Sequence, residues 1–188
     1  MKKILLFCAV LNLLVSGCGG SSDGLLATSS VTATVDKLVM DSDVVSWVDS
    51  AGAKATACSD TSFPKTPVAD SVTVTIKSTA YPLSSSTGLS IRIKSATISY
   101  TPANSATPPM SSEFQTVGMT IDAGGTATIP VRIATQEQKT RLQPALACSN
   151  TIYKYYTKIS FDIAEIGSNK SITIDSAMDL RFADFIDQ

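Results

Sequence analysis

The chain contains no histidine. That absence removes Ser-His-Asp and Cys-His nucleophilic catalysis, which need an imidazole base. It also removes zinc bound through histidine and haem held by a proximal histidine. No C-x-x-C-H sequence is present to attach a c-type haem. Positive charge is not in excess, with 15 basic residues against 16 acidic ones. A nucleic-acid partner ordinarily demands a basic face, so none is expected. Long apolar runs are missing too. The longest, Ile4 to Val15, spans about a dozen residues and is interrupted by Asn12, whereas a membrane-spanning helix needs roughly 20.

That short run has a different meaning. Met1-Lys2-Lys3 precedes it, and a small positive region before a short apolar core marks an export leader. The run closes on Val15-Ser16-Gly17-Cys18. This tetrapeptide resembles the lipobox of bacterial lipoproteins: an aliphatic residue, two small residues, then cysteine. The resemblance covers the first 18 residues. It implies diacylglyceryl transfer to the Cys18 thiol, cleavage before Cys18 and acylation of the new amine. Several acyl chains make a stable anchor, whereas one is marginal. The residue after the cysteine is Gly19 rather than Asp, which in enterobacteria-like sorting favours the outer membrane. Gly19-Gly20-Ser21-Ser22-Asp23-Gly24 has the composition of a flexible tether. The expected organisation is a signal peptide over 1–17, a lipidated cysteine and tether over 18–30, and a folded domain over 31–188.

Loss of residues 1–17 removes two lysines and no acid, leaving 13 basic and 16 acidic residues and a net charge of −3. Cys8 leaves with the leader. Cys58 and Cys148 remain in the body. An exported chain meets an oxidising compartment, so a Cys58–Cys148 disulfide is expected, the alternative being two free thiols. It would close a loop of about 90 residues and contribute roughly 4–5 kcal/mol in the chain-entropy model.

The body is rich in serine and threonine, and its apolar residues alternate at period two, the pattern of half-buried strands. Val31, Ala33 and Val35 share one face. Val44 to Val48 is a short apolar run around Trp47, the only tryptophan. Residues 52–70 read as a long loop carrying Cys58. Val72, Val74 and Ile76 point inward from the next strand. In the segment after Leu89, apolar residues sit at odd positions through Ile93 and at even positions from Ala96. One extra residue causes such a switch, so a β-bulge or a change of sheet is predicted near Lys94-Ser95. Pro102 to Pro109 is too proline-rich for an interior strand. Phe114 to Ile121 and Thr126 to Ile133 are predicted strands, with Phe114 expected to pack on the core. Pro130 removes a ladder donor and places the second of these at a sheet edge.

One helix is predicted. Thr135-Gln136-Glu137-Gln138 matches a capping box, and Pro144 ends or bends the helix soon afterwards. A tyrosine-rich strand from about Ile152 to Ile163 follows. The last strand carries Ile172, Ile174, Met178, Leu180 and Phe182 on one face. Seven to nine strands at intervals near ten residues suit a two-sheet sandwich. The fold class is therefore all-β, a single sandwich with one short helix, and the body resembles an immunoglobulin-like or fibronectin-like domain in pattern. It departs from antibody domains because Trp47 precedes both body cysteines.

Asp36, Asp41 and Asp43 form a candidate calcium cluster, but the spacing is not that of an EF-hand, and a solvated acidic turn explains it better. No metal or other cofactor is expected. Asp179, Asp184, Asp187 and Glu165 are carboxylates among which a glycosidase pair could lie, yet nothing in their spacing suggests a cleft. No catalytic residue is assigned. Trp47, Tyr153 and Tyr156 are candidates for ligand or partner contact, since tyrosine and tryptophan join an apolar body to a polar tip. Tyr156 is the best candidate for exposure, because Tyr155 shares the buried phase. The function expected is that of a non-enzymatic envelope lipoprotein. It would be anchored in a membrane and bind a protein partner or serve structurally, with carbohydrate or small-ligand binding as the alternative.

Overall fold

Alternating apolar residues can be buried only if a second layer covers them, and here two sheets cover each other. A computed structural model of the chain describes residues 23–45, 66–82 and 88–185. Residues 1–17, expected to be a signal peptide, and Cys18, Trp47 and Cys58 lie outside the described residues. In chain order the elements are β1 (Asp23–Leu25), β2 (Ser29–Val35), β3 (Val39–Asp43), β4 (Asp70–Ala80), β5 (Ile91–Pro102), β6 (Glu113–Ile121), β7 (Thr126–Ala134), α1 (Gln136–Leu146), β8 (Tyr153–Glu165) and β9 (Ser171–Ala183).

One sheet has the order β1-β2-β4-β7 and the other β3-β9-β8-β5-β6. All neighbours are antiparallel except β3, which runs parallel to β9. Thus β2, β4 and β7 stand in the order A, B, E of an immunoglobulin fold, and β9, β8, β5 and β6 in the order G, F, C, C′. The protein is an all-β sandwich, with one short helix among the described residues.

The inward residues are those the alternation selects. Val31 and Ala33 of β2, Val74 and Ile76 of β4, and Ile129 and Val131 of β7 supply one layer of the core. Ile98, Ile159, Phe161, Ile174 and Leu180 supply the other. Fully burying one such aliphatic side chain is worth about 1.5–3 kcal/mol, so this face, rather than any local propensity, holds the sheets together. The phase switch in β5 is a bulge. Its register with β6 and with β8 shifts between Ile93 and Ser95. Lys94 therefore absorbs the extra residue and keeps both Ile93 and Ala96 buried.

A second bulge lies where β4 meets β7. Asp70 pairs with Ala134 and Ser71 with Arg132, so Ile133 has no opposite number in β4. Its carbonyl instead accepts from the Tyr100 hydroxyl at 2.9 Å, across the core from the other sheet. Pro130 sits on β7, and β7 is indeed a sheet edge.

Three expectations are revised. Strand structure lies inside the segment 18–30 expected to be tether: β1 pairs with β2, and Leu26 is buried. A side chain at Gly24 would collide with Ile172 and Ile174, so glycine here permits close packing of β1 on β9 rather than looseness. Second, a strand that the alternation did not mark, β3, runs over Val39–Asp43, just before the apolar run that opens on the buried Val44 and Val45. Third, Phe114 does not pack on the core and is 65% exposed.

Helix α1 starts as predicted. Thr135 Oγ1 accepts from the Gln138 amide at 3.1 Å, and Gln138 Oε1 accepts from the Thr135 amide at 2.9 Å. Pro144 lies inside the helix, which continues through Leu146.

Candidate functional site

Strand periodicity sorts the tyrosines. On β8 odd positions face the core and even positions face solvent. Tyr155 is fully buried, edge-on to Tyr100 and Phe182 at ring-centroid distances of 6.3 and 5.7 Å. Tyr153 shares that inward phase and packs against the core. Tyr156 is on the opposite face and is 53% exposed. The three candidates for contact thus do not form one platform: Tyr153 belongs to the core side, Tyr156 to the outer face of the five-stranded sheet, and Trp47 is outside the described residues.

Tyr156 lines a groove of about 530 Å³ on that outer face, together with Leu38, Val39, Thr101, Lys158, Ala177 and Asp179. The strand registers create it. Tyr156 pairs with Thr101 of β5 and Asp179 of β9, and Asp179 pairs with Val39 of β3, so these residues form one row across four strands. Leu38 and Val39 are both exposed. They stand at the sheet edge, where a short parallel strand offers side chains without a covering layer. The groove therefore has an apolar wall, an aromatic ring and a polar floor.

The ring is braced. The Lys154 ammonium lies 5.1 Å from the Tyr156 centroid and is itself held by Asp179 at 2.6 Å. That hydrogen bond raises the Lys154 pKa above its ordinary value. Around the groove charge is matched: Lys158 meets Asp175 at 3.6 Å, and Arg181 binds Asp41 through two contacts of 2.6 and 2.7 Å. Further along the same face the bulge produces a smaller hollow of about 320 Å³ lined by Arg92, Lys94, Thr116 and Gly118.

The carboxylates singled out in the sequence are dispersed. Asp36 accepts from the Thr73 amide and Asp41 pairs with Arg181, while Asp43 accepts from the Val45 amide. Among the described residues no group of three metal-ligating side chains occurs. Glu165 and Asp184 sit at opposite ends of the β8–β9 pair, and Asp179 is on its outer face. Asp187 lies outside the described residues. Glu165 clamps the turn between β1 and β2, accepting from the Thr28 hydroxyl at 2.6 Å and from the Thr28 and Ala27 amides at 2.9 and 3.3 Å. Burial pushes its carboxyl up, but hydrogen bonds from Ser168, Thr28 and Ala27 outweigh that and leave it below the ordinary value.

At the other end lies a cluster the sequence did not reveal. Lys139 is almost completely buried and pairs with Asp70 at 2.6 Å, and Ser42 donates to the same oxygen at 2.6 Å. The Asp184 carboxylate accepts from the Cys148 amide, 36 residues earlier in the chain, at 2.8 Å. Asp43 is pushed up by burial, with Asp184 adding to the shift and Lys139 opposing it. These contacts tie α1 to the ends of β3 and β4. Their partners are internal, so they build structure rather than a site open to substrate.

Neither a scan against models of known protein families nor a search of curated proteins finds a match. Among the described residues no helix is long and apolar enough to cross a membrane.

Proposed function

We propose that this chain is a lipid-anchored, non-enzymatic binding module of the bacterial cell envelope, which presents the outer face of its five-stranded sheet to a partner. The observation that carries the reading is Tyr156, half-exposed and braced in a groove beside exposed Leu38 and Val39. An aromatic ring with aliphatic neighbours and a polar rim is the make-up of a binding surface. The dispersal of Asp179, Asp184 and Glu165 into structural contacts supports a non-enzymatic role.

The anchor in this proposal is Cys18, after removal of residues 1–17, in the outer membrane. Strand β1 begins at Asp23, only five residues on. Five extended residues reach at most about 18 Å, so the sandwich would sit against its membrane with little freedom. In this proposal Cys58 and Cys148 form a disulfide, as expected of two cysteines in the body of an exported chain.

A photo-reactive residue placed at Tyr156 in cells tests the binding face. Adducts from position 156, and none from Thr75 on the outer face of the other sheet, are expected. Adducts from Thr75 alone would overturn the assignment. Replacement of Cys18 by Ser tests the anchor: the protein should leave the membrane fraction.

A further inference from the structure

The outer face of the five-stranded sheet carries a second exposed aromatic residue, Phe114 of β6. It pairs with Thr97 of β5, which pairs in turn with Ser160 of β8. Tyr156 stands opposite Thr101. The two rings are thus four residues apart along the strands and two strands apart across them, a separation of about 16 Å. Between them β5 presents Thr97, Ser99 and Thr101 at every second position. Thr97 and Thr101 are exposed, and neither makes a side-chain hydrogen bond among the described residues. Ser99 makes only a long one, 3.5 Å to the Lys158 carbonyl.

This arrangement is unlike the centre of a protein–protein interface, where serine is depleted and large apolar side chains fill the middle. It is also unlike a site for a charged ligand. The cations nearest the groove are engaged by carboxylates of the same face: Lys154 with Asp179, and Lys158 with Asp175. What fits is a neutral, elongated molecule with flat apolar faces and a fringe of hydroxyls. A pyranose ring has that character: its C–H face packs on an aromatic ring, and its hydroxyls exchange hydrogen bonds with serine and threonine.

We propose that the face binds an extended polysaccharide, one sugar ring packing on Tyr156, another on Phe114, with the intervening sugars along Thr97, Ser99 and Thr101. The inference rests on the reading that this face is the binding face, and adds the class of partner. An exposed phenylalanine is then explained, since it offers a second platform at a distance that only an oligomer can span. Affinity should therefore grow with ligand length until both rings are engaged.

The test uses the full chain in detergent, with chitohexaose, cellohexaose and their trimers titrated by calorimetry. At least one hexamer should bind more tightly than its trimer. Tyr156→Ala should weaken binding about tenfold, the equivalent of one stacked ring. Phe114→Ala should leave the trimer unaffected and abolish the gain from trimer to hexamer. Both side chains are exposed, and an unchanged thermal midpoint verifies folding. Failure of every oligosaccharide to bind, or equal binding by wild type and both variants, overturns the polysaccharide. If position 156 then crosslinks to a protein, the binding face stands and its partner is a protein. If position 156 gives no adduct of any kind and no sugar binds, the face itself was wrongly assigned.

Discussion

The Gln115 side chain forms a two-point ladder with the backbone of Arg132. Its Oε1 accepts from the Arg132 amide at 3.1 Å, and its Nε2 donates to the Arg132 carbonyl at 2.5 Å. Gln115 lies on β6 and Arg132 on β7, so the carboxamide joins the two sheets along one side of the sandwich. It occupies the place an added strand would take on the open edge of β7. Unpaired edges invite association with other chains, and proteins block them by several devices. Pro130, two residues away, blocks the same edge by lacking a donor.

The first prediction follows from this relationship. Gln115→Ala should cost about 1–2 kcal/mol, the usual range for two lost hydrogen bonds at a partly exposed site. It should also raise the tendency to associate. Urea unfolding gives the first quantity, and light scattering against concentration gives the second. An unchanged midpoint with no added scattering would show that the carboxamide contact is dispensable.

Glu165 supports a second prediction. Its carboxylate holds the β1–β2 turn through Thr28 and Ala27 and sits below its ordinary value of 4.5. A carboxyl whose folded-state pKa is depressed contributes stability that is complete above the unfolded value and lost as the pH falls through the folded one. Glu165→Gln should therefore destabilise at pH 7, by about 1–3 kcal/mol for charge-assisted bonds. The gap from wild type should narrow as the pH drops below 4.5. Denaturant midpoints of both proteins at several pH values measure it, and a pH-independent gap would refute the role of the charge.

Tyr100 and Tyr155 give a third. Burial pushes both phenols up to about 12, the Tyr155 shift being increased by Tyr153. Their hydroxyls donate to the carbonyls of Ile133 at 2.9 Å and Pro108 at 2.8 Å. The fold favours the protonated form, so the stability they contribute is complete below the unfolded value near 10 and is lost as pH rises towards 12. Ultraviolet titration should show two phenols ionising late, at about 12 or together with unfolding. Tyr100→Phe should remove one late phenol and cost about 1 kcal/mol, because the carbonyl of the bulged Ile133 loses its partner.

Strands whose side chains meet the core were legible in the sequence, because burial of alternate residues leaves a period of two. The bulge at Lys94 was legible for the same reason, and the capping box at Thr135 because its partners lie three residues apart. Strands β1 and β3 were not. Among the described residues each pairs on one side only, and their positions are set by backbone bonds and by a close approach such as Gly24 to Ile172 and Ile174, which leave no pattern. Tyr156 was picked out by phase alone. Its neighbours Leu38, Val39 and Thr101 come from strands distant in sequence, and only the registers bring them together. Tyr153 fell on the opposite face because adjacent tyrosines look alike in composition, while a shift of an odd number of residues inverts the face.

Lys139 was invisible for a related reason: a lysine in a helix ordinarily reads as solvated. Its side chain is 3% exposed and its ammonium lies 2.6 Å from Asp70. Removing one member of a buried pair leaves the other charge uncompensated and typically costs about 3–5 kcal/mol. Lys139→Ala should fall in that range at pH 7. The loss should exceed what Asp70→Asn causes, because Lys139 also opposes the upward shift of Asp43, whose environment already disfavours its charge. Without the lysine, the Asp43 carboxylate loses the cation that opposes its upward shift, while burial and the Asp184 charge still disfavour its ionised form. Protonating Asp43 removes the charge that the lysine offsets, so the penalty of Lys139→Ala should shrink as the pH falls through the Asp43 transition. Thermal unfolding of the wild type and both variants at pH 7 and pH 4 measures it. A penalty that is unchanged at pH 4 would mean that Lys139 acts through the packing of its aliphatic stem and not through its charge.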